Sequence, residues 1–528
     1  MKRISTILKM MMVAALCLPT VCFAAPAVAG PAYPDTDKGD SFDTVELTNL
    51  VIFIRFADDE EITHSFARID TMFNGRTPGY MSVYNFYDAL TYGRLHYNTV
   101  YTNDIHDGVI VSYRDIHPRG YYQPYSETNP IGYHGPNPFV GISMREAQLQ
   151  ARAFRYVDSL HLVDESVVLD GNHDGYIDNV SFIIKGDVGE WASLLWPHME
   201  YFPHDSIDHP VVVNGVRPNT FNFEFEGSGE FYFSAHVFRH EMGHSLNLPD
   251  HYHYEYYQNV RPAHSWDMME CPYEPNHIAA IFKNKVLHVS DDPIEITADG
   301  DYTLRSVGSS PSQNCYYIKS AIDTTQWFVF EYRRQEDLFE SGIPGTGLIA
   351  ARWNDTVPLG YRGMCANAFF DFYNQAHWYW IFRPGSDIDT VDGAILNAHF
   401  CQAEDRTSFG PNTDPHPYLT DGTPETSFEI TDIRENGTEL TFHVHFFDLA
   451  IAEGDEAPCT VRVYPNPASD RLMVRSARGN IHGALYNTLG QRMLDVDRSG
   501  QYDISALPQG VYILKLDGQQ ARKVVVSR

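Results

Sequence analysis

Cysteine is scarce, with seven in 528 residues. Cys17 and Cys22 fall in an N-terminal apolar stretch, leaving Cys271, Cys315, Cys365, Cys401 and Cys459. An odd number at wide spacings points to neither a disulfide framework nor a CxxC metal site. Basic residues are also few. Lys and Arg total 38 against 69 Asp and Glu, a formal charge of −31. Phosphate backbones would be repelled, so nucleic acid is excluded as the main partner. Beyond the N-terminus no apolar run approaches the length that spans a membrane. Aromatic residues, by contrast, are plentiful, with 33 Tyr and 31 Phe, which favours β-rich architecture. The length exceeds what one hydrophobic core serves, so several domains are expected.

Residues 1–24 read as a signal peptide: Lys2, Arg3 and Lys9 precede the apolar "MMVAALCLPTVCFA", and small residues follow at Ala24 and Ala25. Residues 25–45, rich in Pro, Gly and Asp, read as a leader. "LTNLVIFIRFAD" (Leu47 to Asp58) predicts a buried strand opening a mixed α/β domain over 46–292. A short helix stopped at Gly93 and followed by a strand is expected in "VYNFYDALTYGRLHYNTVY", and a long amphipathic helix from Gly141 to Ser159. "NVSFIIKG" predicts a second buried strand. From 293 to 448 the texture changes to short alternating runs broken by Gly, Asn and Asp, the pattern of an antiparallel β-sandwich. An acidic linker, 449–459, leads to a small β module over 460–528.

The chemistry concentrates in "FRHEMGHSLNLPDHY", Phe238 to Tyr252. Residues four apart share a helix face, so His240 and His244 can direct both imidazoles at one zinc ion. Glu241, one step round, is placed to take a proton from water without ligating the metal. Ser234 is the expected N-cap. Asn247 stands where the extended HExxHxxGxx(H/D) signature has Gly, and Asn tolerates the left-handed turn needed there. Pro249 then stops the helix, and Asp250 occupies the third-ligand position. A competing reading makes Asp250 a hydrogen-bond buttress, with another acid on the metal. Downstream, "SWDMME" (Ser265 to Glu270) is similar to the methionine turn under such sites. His198 reads as structural, and Tyr252 as a donor to a developing oxyanion.

Taken in order, "LVIFIRFAD", "FYDALTYGRLHY", "DGNHDGYIDNVSFIIKG", "LLWPH", "HEMGHSLNLPDHY", "SWDMM", "FVFEYR" and "PGTGLIAAR" give the chain a resemblance to the secreted metallopeptidases typified by immune inhibitor A. The resemblance covers about residues 47–445. It implies a zincin-like (metzincin-like) catalytic domain and a monomeric endopeptidase acting on proteins or peptides. It places the ligands at His240, His244 and Asp250 and the general base at Glu241. Asn247 departs from the family's usual Gly.

"DGNHDGYID" spaces Asp170, Asn172, Asp174 and Asp178 like the start of an EF-hand loop, with the Tyr176 carbonyl as a further calcium ligand. The bidentate Glu at position twelve is absent, since Ser181 stands there. The alternative is a plain Asx-rich turn. The C-terminal "VRVYPNPASDRLMV", "ALYNTLGQRML", "LPQGVYILKL" and terminal "KVVVSR" resemble the sorting domain of type IX secretion cargo, which implies contact with that secretion machinery. The reading from sequence is therefore a multidomain, exported zinc endopeptidase with calcium as a second cation. The alternative is a surface adhesin on a dead peptidase fold, which the intact Glu241 opposes.

Overall fold

The computed structural model describes residues 44–527, apart from 103–104, 135–137, 188–194, 196, 203–209, 228–234, 253–259, 337, 356–376, 448–460, 477–480, 488–489, 499 and 517–521. The signal peptide, nearly all of the leader, Ser234, Cys365, Cys459 and the acidic linker lie outside the described residues. Two compact units meet at Phe447/Asp448.

The first unit is built on a six-stranded sheet. Its main strands are β1 (Val45–Arg55), β2 (Leu95–Tyr101), β3 (Asn179–Ile184), β4 (His198–Tyr201) and β5 (Thr220–Phe225), in the order β2-β1-β3-β5-β4. All pairings along this path are parallel except β4 on β5, which is antiparallel at one edge. β1 buries both faces, as an apolar strand inside a covered parallel sheet must. Val51 and Phe53 face one core, with Phe73, Phe86 and Phe238. Leu50, Ile52 and Ile54 face the other, with Leu149, Phe154 and Phe182.

The helices on the first face are α1 (Phe66–Asn74) and α2 (Val83–Leu90), followed later by the motif helix. Both open on serine caps: Ser65 Oγ accepts from Arg68 N at 3.3 Å and Ser82 Oγ from Asn85 N at 3.0 Å. Gly93, at φ +74°, turns the chain into β2. The second face carries α3 (Pro138–Ser159), three residues longer at its start than its periodicity predicts. Pro138 fits a first helical turn because it lacks an amide proton to leave unsatisfied.

Residues beyond 292 form a five-stranded sheet, β6 (Ile294–Glu295), β8 (Cys315–Lys319), β9 (Gln326–Arg333), β10 (Gly347–Asn354) and β11 (Tyr379–Ile381). A three-stranded sheet faces it: β7 (Gly300–Arg305), β13 (Glu439–Phe446) and β12 (Phe428–Asn436). Pairing is antiparallel, as expected of the texture, except β6 beside β8. Phe328, Phe330, Leu348, Phe428 and Phe442 fill the space between the sheets. Val329, Ile349, Ala351 and Trp353 turn the other way and join the core around Phe238 and Met242. One sheet thus serves two cores, and the packing runs unbroken across residue 292.

Glu226, just beyond β5, fastens the far end of the central sheet. It is 1 % exposed and accepts from Thr63 N at 2.5 Å, Thr63 Oγ1 at 2.9 Å and His64 N at 3.0 Å, with Lys185 Nζ at 2.8 Å. Burial alone would raise its pKa, but Lys185 and these donors hold the carboxyl down to about 2. A depressed carboxyl stabilises the fold above its ordinary value of 4.5, and that contribution fades as pH falls toward 2. Glu226→Gln is expected to cost about 3 kcal/mol at neutral pH, the usual scale for breaking a buried pair. Chemical denaturation of both proteins at pH 7 and near pH 3 checks this. The gap between them should narrow at the lower pH.

The second unit folds as two antiparallel sheets around one core. β14 (Val461–Tyr464), β15 (Arg471–Ser476) and β18 (Gly500–Asp503) form one. β17 (Arg492–Val496), β16 (Gly483–Asn487), β19 (Gly510–Leu516) and β20 (Arg522–Val526) form the other. Leu472, Val474, Leu485, Leu514 and Val524 are its centre. The small β module expected over 460–528 is thus a two-sheet sandwich.

Candidate metal centre

The motif helix α4 (Ala235–Ser245) lies on the sheet face shared with α1 and α2. Phe238 packs edge-on to Phe73 at 4.6 Å, and Tyr87 Oη donates to the Arg239 carbonyl at 2.5 Å. Beneath the helix runs a buried polar ladder across three strands. Asn179 Nδ2 donates to Asn49 Oδ1 at 2.8 Å and to Asn222 Oδ1 at 2.9 Å, and Ser245 Oγ donates to Asn179 Oδ1 at 2.7 Å. These bonds fix the rotation of α4, because buried polar groups are costly unless paired.

The helix ends as its sequence predicts. Asn247 has φ +64°, Leu248 N donates to Gly243 O at 3.1 Å and Asn247 N to His244 O at 2.9 Å. This pair of bonds is the Schellman termination. The turn leads through Pro249 to Asp250.

His240, His244 and Asp250 are all buried, and one ligand atom from each lies within 4.8 Å of the others. His240 Nδ1 donates to the Met268 carbonyl at 2.9 Å and His244 Nδ1 to the Leu248 carbonyl at 2.7 Å. Each Nε2 is left to face Asp250, whose Oδ1 stands 3.1 Å from His240 Nε2 and 3.3 Å from His244 Nε2. An acid acting as a buttress would accept from the Nδ1 side, which the two carbonyls already occupy. Ligands of a tetrahedral zinc at about 2.0–2.1 Å stand about 3.3 Å apart, so the donors fit that ion in type and spacing. The cluster favours positive charge. Burial opposes an imidazolium at His244, but the Asp250 carboxylate outweighs it and pushes His244 up to about 9. The same pairing holds Asp250 far below the carboxylate range, against its own burial.

The "SWDMME" turn packs against the helix at Gly243. A Cβ at Gly243 would meet Met268 Cε and Met269 Sδ at 3.1 Å, so the two methionine side chains pack closely on the helix there. Asp267 braces the turn, accepting from Met269 N and Ala279 N at 2.9 Å each. His251 N donates to Met269 O at 3.1 Å and ties the Asp250 segment to it.

Glu241 is 9 % exposed beside His240. Tyr252 borders the site, its ring nearly parallel to that of His240 at 6.4 Å. The rest of "HYHYEYY" from His253 lies outside the described residues. His198 sits on the edge strand β4, 3.4 Å from Glu146, and is not part of the cluster. Glu224 escapes a motif search. It lies on β5 at 4 % exposure, with Oε2 unpartnered, and burial together with Glu241 raises its carboxyl well above the usual range. The alternating "TFNFEFE" places Asn222 and Glu224 on one face, which is the only signal the sequence carries for it.

The acidic loop is laced by its own side chains. Asp170 accepts from Asp174 N and Gly175 N at 2.9 Å each, Asn172 Oδ1 from Asp174 N at 3.1 Å and Asp174 from Tyr176 N at 2.9 Å. Tyr176 begins a two-residue strand paired beside Arg217. Asp178 turns both oxygens to main-chain amides: Oδ2 accepts from Thr48 at 2.8 Å and from Gly171 at 2.9 Å, and Oδ1 from Gly171 at 3.1 Å. Burial raises it to about 6 despite these donors. Asp178 therefore pins the loop to β1. The bonds accepted by Asn172 and Asp174 two residues on are those of Asx turns.

Comparison with known proteins bears on the C-terminal unit. Residues 462–527 match the family described as secretion system C-terminal sorting domain. The tail is a type IX sorting domain, which places the protein in the medium or on the outer-membrane surface. Among the described residues no helix is long and apolar enough to cross a membrane. No curated protein matches the chain. Among solved structures, wild-type OgpA from Akkermansia muciniphila is similar at 12 % identity over 57 % of this chain and 75 % of that one. The TM-score is 0.24, and this likeness carries no argument.

Proposed function

We propose that the chain is an exported zinc endopeptidase with a zincin-like catalytic region. The observation behind this is the convergence of His240 Nε2, His244 Nε2 and Asp250 Oδ1, with each Nδ1 anchored on a carbonyl. The resemblance to immune inhibitor A-type peptidases and the export tail point the same way. Zinc held by these residues supplies a Lewis acid that polarises a carbonyl and acidifies water. Glu241 takes the proton of the attacking water and returns it to the leaving amine. Tyr252, whose ring lies 6.4 Å from that of His240, is the proposed donor to the oxygen that gains charge. The buried polar ladder keeps α4 and its three functional side chains in one rotation, so little reorganisation accompanies the reaction.

Casein cleavage by the purified protein, with and without a chelator and with bound zinc measured in parallel, tests the reading. Chelator-sensitive cleavage is expected. A protein that binds zinc yet leaves casein and unfolded proteins intact would favour a binding role.

The sorting tail should be dispensable for chemistry because it has its own core. Deleting residues 460–528 is expected to leave a folded protein with wild-type casein cleavage that stays within the cell envelope. Fractionation and a zymogram check both halves of this expectation.

A further inference from the structure

Another set of metal-type donors lies apart from the centre described above. His399, Cys401 and Glu404 each offer one ligand atom, and the three atoms lie within 4.8 Å of one another. The backbone brings them together. Phe400 pairs with Leu348 through bonds of 3.0 and 2.8 Å, and Cys401 then caps the single turn Gln402–Glu404, which returns Glu404 toward His399.

His399 is fixed by packing, with its side chain 8 % exposed. A Cβ at Gly345 would come within 2.4 Å of His399 Nε2 and Cε1, so only glycine admits the ring on that side. The indole of Trp266 covers it from 5.7 Å. Nδ1 has no hydrogen-bond partner, so no acceptor competes with packing in setting the ring. Glu404 is held from outside. Arg406 Nη2 donates to its Oε2 at 2.8 Å, and Oε1 stands 3.4 Å from His399 Nε2. A guanidinium that takes one carboxylate oxygen and leaves the other turned inward is the kind of outer contact that orients a metal ligand. A plain ion pair would explain His399 with Glu404, and the buried thiol at the cap of the turn adds a third donor to the pair.

We propose that His399, Cys401 and Glu404 form a second cation site, selective for zinc-class divalent ions. One nitrogen, one sulfur and one oxygen donor suit a borderline ion and disfavour calcium or magnesium. Glu404 is 42 % exposed, which gives the ion an entry path from solvent. On binding, the Cys401 thiol releases its proton to solvent and the thiolate bonds the ion.

Cobalt(II) titration of the full-length, metal-free protein tests the site. His240, His244 and Asp250 contain no sulfur, so a thiolate-to-cobalt charge-transfer band reports a cysteine site alone. The band is expected in the wild type and in His244→Ala, and is expected to be lost in Cys401→Ser. Glu404→Gln should weaken the cobalt affinity read from it by about 10-fold or more. Absence of the band in the wild type, or its survival in Cys401→Ser, would overturn the proposal. Either result leaves the peptidase reading untouched, because neither requires cleavage.

Discussion

Glu241→Gln is expected to bind zinc as the wild type does and to hydrolyse casein at least about 10³-fold more slowly, the scale of a lost general base. The substitution keeps volume and hydrogen-bonding capacity, so α4 should stay seated on its ladder of Asn49, Asn179, Asn222 and Ser245. The residue neighbours His240 but is absent from the set whose donor atoms converge. Its loss should therefore separate catalysis from metal content. Wild-type turnover in the variant would remove Glu241 from the mechanism. Loss of zinc along with activity would make it part of the metal cluster instead.

The second large effect is expected at Asp250. Asp250→Ala removes the carboxylate that faces both Nε2 atoms, and zinc affinity should fall well beyond the 10–100-fold typical of a lost outer hydrogen bond. Asp250→His should restore part of it, because imidazole is also a zinc ligand. Competition with a metal-sensitive dye measures both. Equal affinity in the wild type and Asp250→Ala would reassign the third position to another acid.

Local patterns in the sequence were legible where the physics is local. The apolar run at Leu50 to Ile54 alternates between two cores as a doubly covered strand must, and Asn247 ends α4 in the left-handed turn read from its position. The tail motifs mark a self-contained β-sandwich. The features that escaped depend on partners distant in sequence. Nothing near His240 announces that Met268 will accept from its Nδ1, and nothing near Val329 says that β9 will serve two cores. The change of texture at 293 is real, since strands replace helices there, but packing crosses it. Asp178 is another such case: its two oxygens accept from the amides of Thr48 and Gly171, the first of which is contributed by a strand 130 residues away.

The measurement nearest the central claim is a crystal structure of the zinc-loaded protein with anomalous data at the zinc edge. An anomalous peak is predicted about 2.0–2.2 Å from His240 Nε2, His244 Nε2 and one Asp250 carboxylate oxygen, with both Nδ1 atoms still on the carbonyls of Met268 and Leu248. No peak at this cluster, or a peak bound by the two imidazoles with a different acid in place of Asp250, would contradict it.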